Sequence, residues 1–139
     1  MKLFSRLNQY GDWGLLILRV GIAVIFVAHG VLKFGTWHMQ PSETLPAGML
    51  VILKILSIAE PLGALSMIAG FLTPLAAIGM SVLMIGVINM KINMMHVGFI
   101  EMQGKGTGWE FDFIILCVTL CILITGPGKI SLEHFLRKK

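Results

Sequence analysis

The sequence predicts an all-α, polytopic membrane protein: a four-transmembrane-helix bundle with both chain ends on the cytoplasmic side (N-in/C-in). Three observations carry that expectation. Hydrophobic residues make up 56% of the 139 residues, charged residues only 13%, and the mean hydropathy is +0.87; soluble domains carry about 25% charged residues. The apolar residues fall into four long runs, and none of them leaves the polar outer face that every helix of a soluble bundle needs. Basic residues gather at the ends, in Lys2, Arg6, Lys129, Arg137, Lys138 and Lys139, the bias expected of cytoplasmic flanks.

Residues 1–13 read as a short amphipathic lead-in, with Lys2 and Arg6 among Leu3, Phe4 and Leu7, closing on the interfacial aromatics Tyr10 and Trp13. The run that follows is too long for a cleaved signal peptide, contains Arg19 and lacks a small-residue cleavage site. The first span covers 14–34, enough for a bilayer core of ~30 Å, which takes roughly 20 helical residues. Pro41 and Pro46 exclude a continuous helix in the loop 35–46. The second span, 47–71, holds Lys54 and Glu60, and Pro61 is expected to kink it because proline removes one backbone hydrogen bond.

Thr73-Pro74 makes a tight break before the third span, 75–92. Gly79 and Gly86 lie seven residues apart there with Ser81 nearby, the small-residue pattern that lets membrane helices approach closely. Towards its end Asn89, Asn93 and His96 fall on one helical stripe with Gly86. A glycine-rich loop, 97–108, leads to the last span, 109–125, which opens on Glu110 and Asp112 and is stopped by Gly126-Pro127-Gly128. Residues 129–139 read as an amphipathic tail on the membrane surface. The whole chain, 1–139, reads as a single membrane domain.

Several function classes drop out. The net charge of +4 sits largely at the ends and does not signal a nucleic-acid partner. Cys117 and Cys121 share a helix face, but their spacing is not a CxxC redox motif, and buried packing is their ordinary role. The ten methionines read as adaptable apolar filling. No zinc-ligand spacing, paired haem ligands or glycine-rich nucleotide loop is present. The expectation is therefore no metal, and no cofactor encoded by a recognisable motif.

The informative residues are charges inside apolar runs. An ionisable side chain at membrane depth costs about 2.5–3.5 kcal/mol, so such groups pair, line a wet cavity or do chemistry. Helical rise places Arg19 roughly 7–8 Å from the inner boundary and His29 roughly 22 Å, with Glu60 between them at roughly 16 Å. Arg19, His29 and Lys33 fall within an arc of roughly 80°. Lys54, Lys91, Glu110 and Asp112 lie further out. The candidate site is one polar pocket inside the bundle, opening outwards, built from Arg19, His29, Lys33, Lys54, Glu60, Asn89, Lys91, Glu110 and Asp112. Structural roles remain open at several of these positions. Lys33, Lys54 and Lys91 can snorkel to the interface, Glu110 and Asp112 can complement a helix N-terminus, and Arg19 with Glu60 can form an ion pair that only sets helix register.

Three stretches together resemble the DoxX family: LRVGIAVIFVAHGVLKF in the first span, EPLGALSMIAGFLTPLAA in the second, and GWEFDFIILCVTLCILITGPGKISLE at the end. The resemblance covers 14–133 and implies a four-helix protein of the bacterial inner membrane. It further implies a link to quinone-coupled redox systems, such as the membrane subunit of thiosulfate:quinone oxidoreductase, and to oxidative-stress complexes. The polar residues it carries over are Arg19, His29, Lys33, Glu60 and Glu110; Pro61, Ala64 and Asp112 depart from its pattern.

The function expected is a membrane subunit of a quinone-linked oxidoreductase, with quinone as the cofactor or ligand and a soluble or membrane partner supplying electrons. A quinone head needs hydrogen-bond donors, which His29, Lys33 and Glu60 are expected to provide. Two other readings stand beside it. One is a non-enzymatic membrane scaffold that uses the Gly79/Gly86 face. The other is a small transporter that works as a homo-oligomer, with Arg19 and Glu60 as a switched pair.

Overall fold

The computed structural model describes residues 8–101 and 107–138. Four long helices follow one another: α1 Gly11–Lys33, α2 Ala47–Ala69, α3 Thr73–Asn93 and α4 Glu110–Thr125, with a short α5, Leu132–Arg137, at the end. Single 3-10 turns at Asn8–Tyr10 and Phe34–His38 flank α1, and no strand occurs among the described residues. α1 pairs closely with α2 and α3 with α4, giving two helical hairpins; looser α2–α3 and α1–α4 contacts close the bundle.

Each boundary has a local cause. Gly70 leaves α2 in the left-handed conformation (φ 65°), where a Cβ is penalised, and its N–H and that of Phe71 both bond the Ser66 carbonyl. Pro74 then opens α3, where its missing N–H costs nothing. Gly126 and Gly128, both at positive φ, turn the chain out of α4. α2 runs through Pro61 as one helix. Pro61 marks a close approach of α1, because a Cβ added at Gly30 would lie 2.5 Å from its Cδ and 3.3 Å from the Glu60 Cβ.

The bundle is apolar inside and out. Its core joins Ile22, Ala23 and Phe26 of α1 to Ala64 and Met67 of α2, Ala77, Met80 and Met84 of α3, and Ile115 and Ile122 of α4. Three of the ten methionines thus serve as core filling, as expected. The outer faces expose Val24, Leu32, Leu62, Leu65, Val82, Ile85 and Ile124, which only a bilayer covers without penalty. Among the described residues, three segments are long and apolar enough to cross it: 11–38, α2 and α3. α4, at 16 residues, spans roughly 24 Å, short of a full hydrocarbon core.

Three expectations need correction. The cysteines are not core residues: Cys117 and Cys121 are both exposed on the outer face of α4. Gly79 and Gly86 are not points of close helix approach, since a Cβ at either would meet nothing within 4 Å; Gly79 instead lines an open groove between α2 and α3. The stripe of Asn89, Asn93 and His96 breaks because α3 ends at Asn93 and His96 sits at φ 49° outside the helix; all three are exposed. Within the tail, Leu132–Arg137 forms the short helix α5. Leu132, Phe135 and Leu136 of α5 point outwards, while Glu133 and His134 are half-buried. Most of the lead-in, residues 1–7, and Lys139 lie outside the described residues.

Candidate functional site

The charges expected to share one pocket separate into three groups. At the end of the bundle where α1 begins and α5 lies, Arg19 is fully buried. Its Nε donates to the Met67 carbonyl at 2.8 Å and its Nη2 to the Ile68 carbonyl at 3.0 Å; its Nη1 donates to the carbonyls of Pro127 and Ile130. These are carbonyls that a helix C-terminus and an exit turn leave unpaired, and one planar guanidinium with five donors serves them all. Nearby, Asp12 accepts the Lys129 N–H at 2.8 Å and the Glu133 N–H donates to the Gly70 carbonyl. Arg19 therefore ties the α2–α3 turn and the Gly-Pro-Gly exit to α1. It does not meet Glu60, so neither the register pair nor the switched pair forms.

The second group is Lys33 with Glu60. The ammonium grips the carboxylate through both oxygens, at 2.9 Å and 2.7 Å, and reaches the His29 carbonyl at 3.3 Å. Glu60 is 5% exposed, and burial of that kind is tolerated only when the charge is paired. The long lysine side chain leans back towards the N-terminus of α1, as helical side chains do, and Gly30 lets the helices close enough for it to arrive. Glu60 sits level with Gly30, further out than helical rise alone places it. The C-terminal carbonyls of α2 lie at Arg19 and not at Gly14, which raises the whole helix.

The third group closes the other hairpin. Lys91 meets Asp112 at 2.6 Å and donates to the Gly108 carbonyl at 3.1 Å. Glu110 is half-buried, and its Oε2 has no hydrogen-bond partner among the described residues. Deeper in that hairpin the hydroxyls of Ser81 and Thr119 bond at 2.9 Å. The nine candidates thus do not ring one pocket. His29 is exposed, because the arc shared with Arg19 and Lys33 turns from the α2 contact towards the bilayer at its His29 edge. Asn89 is exposed, and its backbone carbonyl accepts the Asn93 side-chain amide at 3.2 Å. Lys54 is half-buried and joins none of the ion pairs among the described residues.

Of the nine, only Glu60 borders the large cavity. A groove of about 430 Å³ opens between α2 and α3, within the usual range for a ligand site. Its walls are Leu56, Ala59, Leu62 and Gly63 on one side and Leu75, Ala76, Gly79 and Leu83 on the other, with Phe26 behind. Glu60 is its one ionisable lining residue and Ser66 its one hydroxyl. The sequence reading missed Ser57, which is fully buried, takes the Trp37 indole N–H at 2.9 Å and donates to the Lys54 carbonyl. It anchors the turn after α1 to α2 one helical turn from Glu60. The signal was present as a serine three residues before Glu60, although its tryptophan partner lies in a loop of no fixed register. No group of three or more potential metal ligands occurs among the described residues.

Comparison with known proteins places this arrangement in context. A Bacillus subtilis (strain 168) protein named "Putative oxidoreductase CatD" is 26% identical over 137 residues, covering 95% of this chain and 93% of that protein. No solved structure matches the chain. The family model described as DoxX matches residues 14–96, more than half of the length and including α1, α2, α3 and the Lys33–Glu60 pair. The chain belongs to the DoxX family.

Proposed function

We propose that the protein is the membrane subunit of a quinone-linked oxidoreductase system, holding a quinone in the groove between α2 and α3 with its head at Glu60. The observation that carries this reading is the placement of the Lys33–Glu60 pair. A buried ion pair that serves only stability gains nothing from a cavity wall, whereas here it borders an apolar groove between two spans. A lipid-soluble molecule with one polar end matches that combination. The relative's name adds weight towards redox function. The electrons come from a partner protein, since the chain supplies no redox motif of its own.

In this reading α4 also crosses the bacterial inner membrane, thinning the bilayer slightly to do so. The end that holds Asp12, Lys129 and Arg137 faces the cytoplasm, in keeping with the basic residues there. The test is purification in mild detergent followed by mass spectrometry of extracted lipids. Quinone, oxidised plus reduced, is expected to co-purify with the wild type and to fall at least tenfold in the Lys33→Met, Glu60→Leu double substitution, which removes both polar groups of the pair. Quinone absent from the wild type sinks the reading. The scaffold alternative has one observation in its favour, the vacant face at Gly79 and Gly86. It predicts instead that filling that face abolishes function while Glu60→Gln leaves it intact.

A further inference from the structure

We propose that the groove selects the reduced, hydroxyl-bearing form of the lipid-soluble ligand, a quinol, over the oxidised quinone. This rests on the reading of the groove as a quinone site. The hydrogen-bond donors at the groove are already committed. A lysine ammonium has three N–H groups, and Lys33 directs them at three acceptors: the two Glu60 oxygens and the His29 carbonyl. No lysine donor is left for a ligand. The Ser66 hydroxyl, the other polar group on the wall, spends its single hydrogen on the Phe71 carbonyl. His29, the remaining donor expected for a quinone head, is exposed on the outer face of α1 and does not line the groove.

The polar lining therefore offers acceptors alone. An ionised carboxylate has about four lone-pair sites, and Lys33 occupies two of those on Glu60. A quinol hydroxyl donates to the remainder. A quinone carbonyl brings only lone pairs, leaving two acceptors face to face with no proton between them, a mismatch that buried sites discriminate strongly.

The same geometry sets the path of the hydrophobic tail. From Leu56 to Ser66 the α2 wall is roughly 15 Å long, and beyond Glu60 it passes Gly63 and leads to Leu72 and Leu75. A Cβ at Gly79 would meet nothing within 4 Å, and one at Gly63 only the tip of Met80 at 3.2 Å. The opening faces the bilayer, so the ligand enters sideways from lipid and lays its tail between α2 and α3.

The experiment uses the full chain in phospholipid nanodiscs under anaerobic conditions. A decyl-tailed benzoquinol, kept reduced, is titrated in parallel with the matching benzoquinone. The quinol is expected to bind at least tenfold more tightly. Glu60→Gln, which adds an amide donor at the same place, is expected to bring that ratio close to one. Gly79→Leu, which fills the tail path and leaves the head untouched, is expected to weaken both forms about equally. Equal binding or a preference for the quinone in the wild type overturns the inference and leaves the groove a quinone site. If neither form binds, the underlying reading falls with it. Unchanged affinities in Gly79→Leu overturn the tail placement.

Discussion

Arg19 and Lys33 are two cations on the same helix, both inside an apolar run, yet their surroundings assign them different work. Arg19 is sealed, and its hydrogen-bond partners are backbone carbonyls of Met67, Ile68, Pro127 and Ile130. Lys33 is half-buried and holds a carboxylate that forms part of a cavity wall. A buried charge satisfied by main-chain atoms is a fastener, since nothing about it can change without undoing the fold. One satisfied by a titratable side chain at a cavity retains a second partner that a ligand can engage. Charge and depth do not separate these cases; the chemistry of the partners does.

That contrast can be broken by mutation, and the largest effect belongs to Arg19. Arg19→Leu strands four carbonyls and removes the tie between α1, the α2–α3 turn and the Gly-Pro-Gly exit. Loss of at least about 3 kcal/mol is expected, since hydrogen bonds to charged groups contribute about 1.5–3 kcal/mol each. Arg19→Lys rescues little, because a point charge cannot reproduce the planar fork. Thermal unfolding in detergent measures both, and near-wild-type behaviour of Arg19→Lys contradicts the fastener role.

Next come Lys33→Met and Glu60→Leu. Each alone leaves an unpaired buried charge and costs on the order of 3 kcal/mol, while the double substitution recovers most of that loss. A double-mutant cycle on unfolding free energies reads the recovery; additive losses mean that the pair is not coupled as the geometry indicates. No equivalent rescue exists for Arg19, whose partners cannot be mutated away.

Gly30→Ala tests how the pair is assembled. Its Cβ would meet Pro61 at 2.5 Å, and overpacking of this kind costs about 1–3 kcal/mol. Chemical cross-linking between positions near 33 and 60 should fall in parallel as α1 and α2 are pushed apart. Gly79→Ala is the matched control, with open space around the new methyl, and its stability should stay within about 0.5 kcal/mol of the wild type. A large loss there shows that the groove is closed by something the single chain does not contain. Within the α3–α4 hairpin, Thr119→Val removes the Ser81 bond at a cost of about 1 kcal/mol, smaller than any change at Lys33 or Glu60.

Much of the fold was legible in sequence because it follows from local rules. Apolar runs of bilayer length, Pro74 after a glycine turn and the Gly126-Pro127-Gly128 stop give helix ends within a few residues of those observed. Glu60, Lys33 and Arg19 stood out for a related reason, the cost of ionisable groups at depth. Periodicity fails at His29 and at Asn89. It states which residues share a face of one helix and leaves open whether that face meets a neighbour or lipid. It fails in the same way at Cys117, Cys121 and the Gly79/Gly86 face, where every side of the helix is apolar and no outward side is marked.

By itself, then, the sequence determined that this is a helical membrane protein of the DoxX kind, where its long helices run and which charges need partners. Hydrophobicity, proline and glycine geometry and the cost of a buried ion act within one segment. Only the tertiary structure decided who those partners are. Pairing depends on the relative height, rotation and separation of two helices, which tight contacts such as Gly30 on Pro61 set across the bundle. That is why Arg19 closes a helix end while Lys33 and Glu60, one turn from the anchored Ser57, stand at the groove.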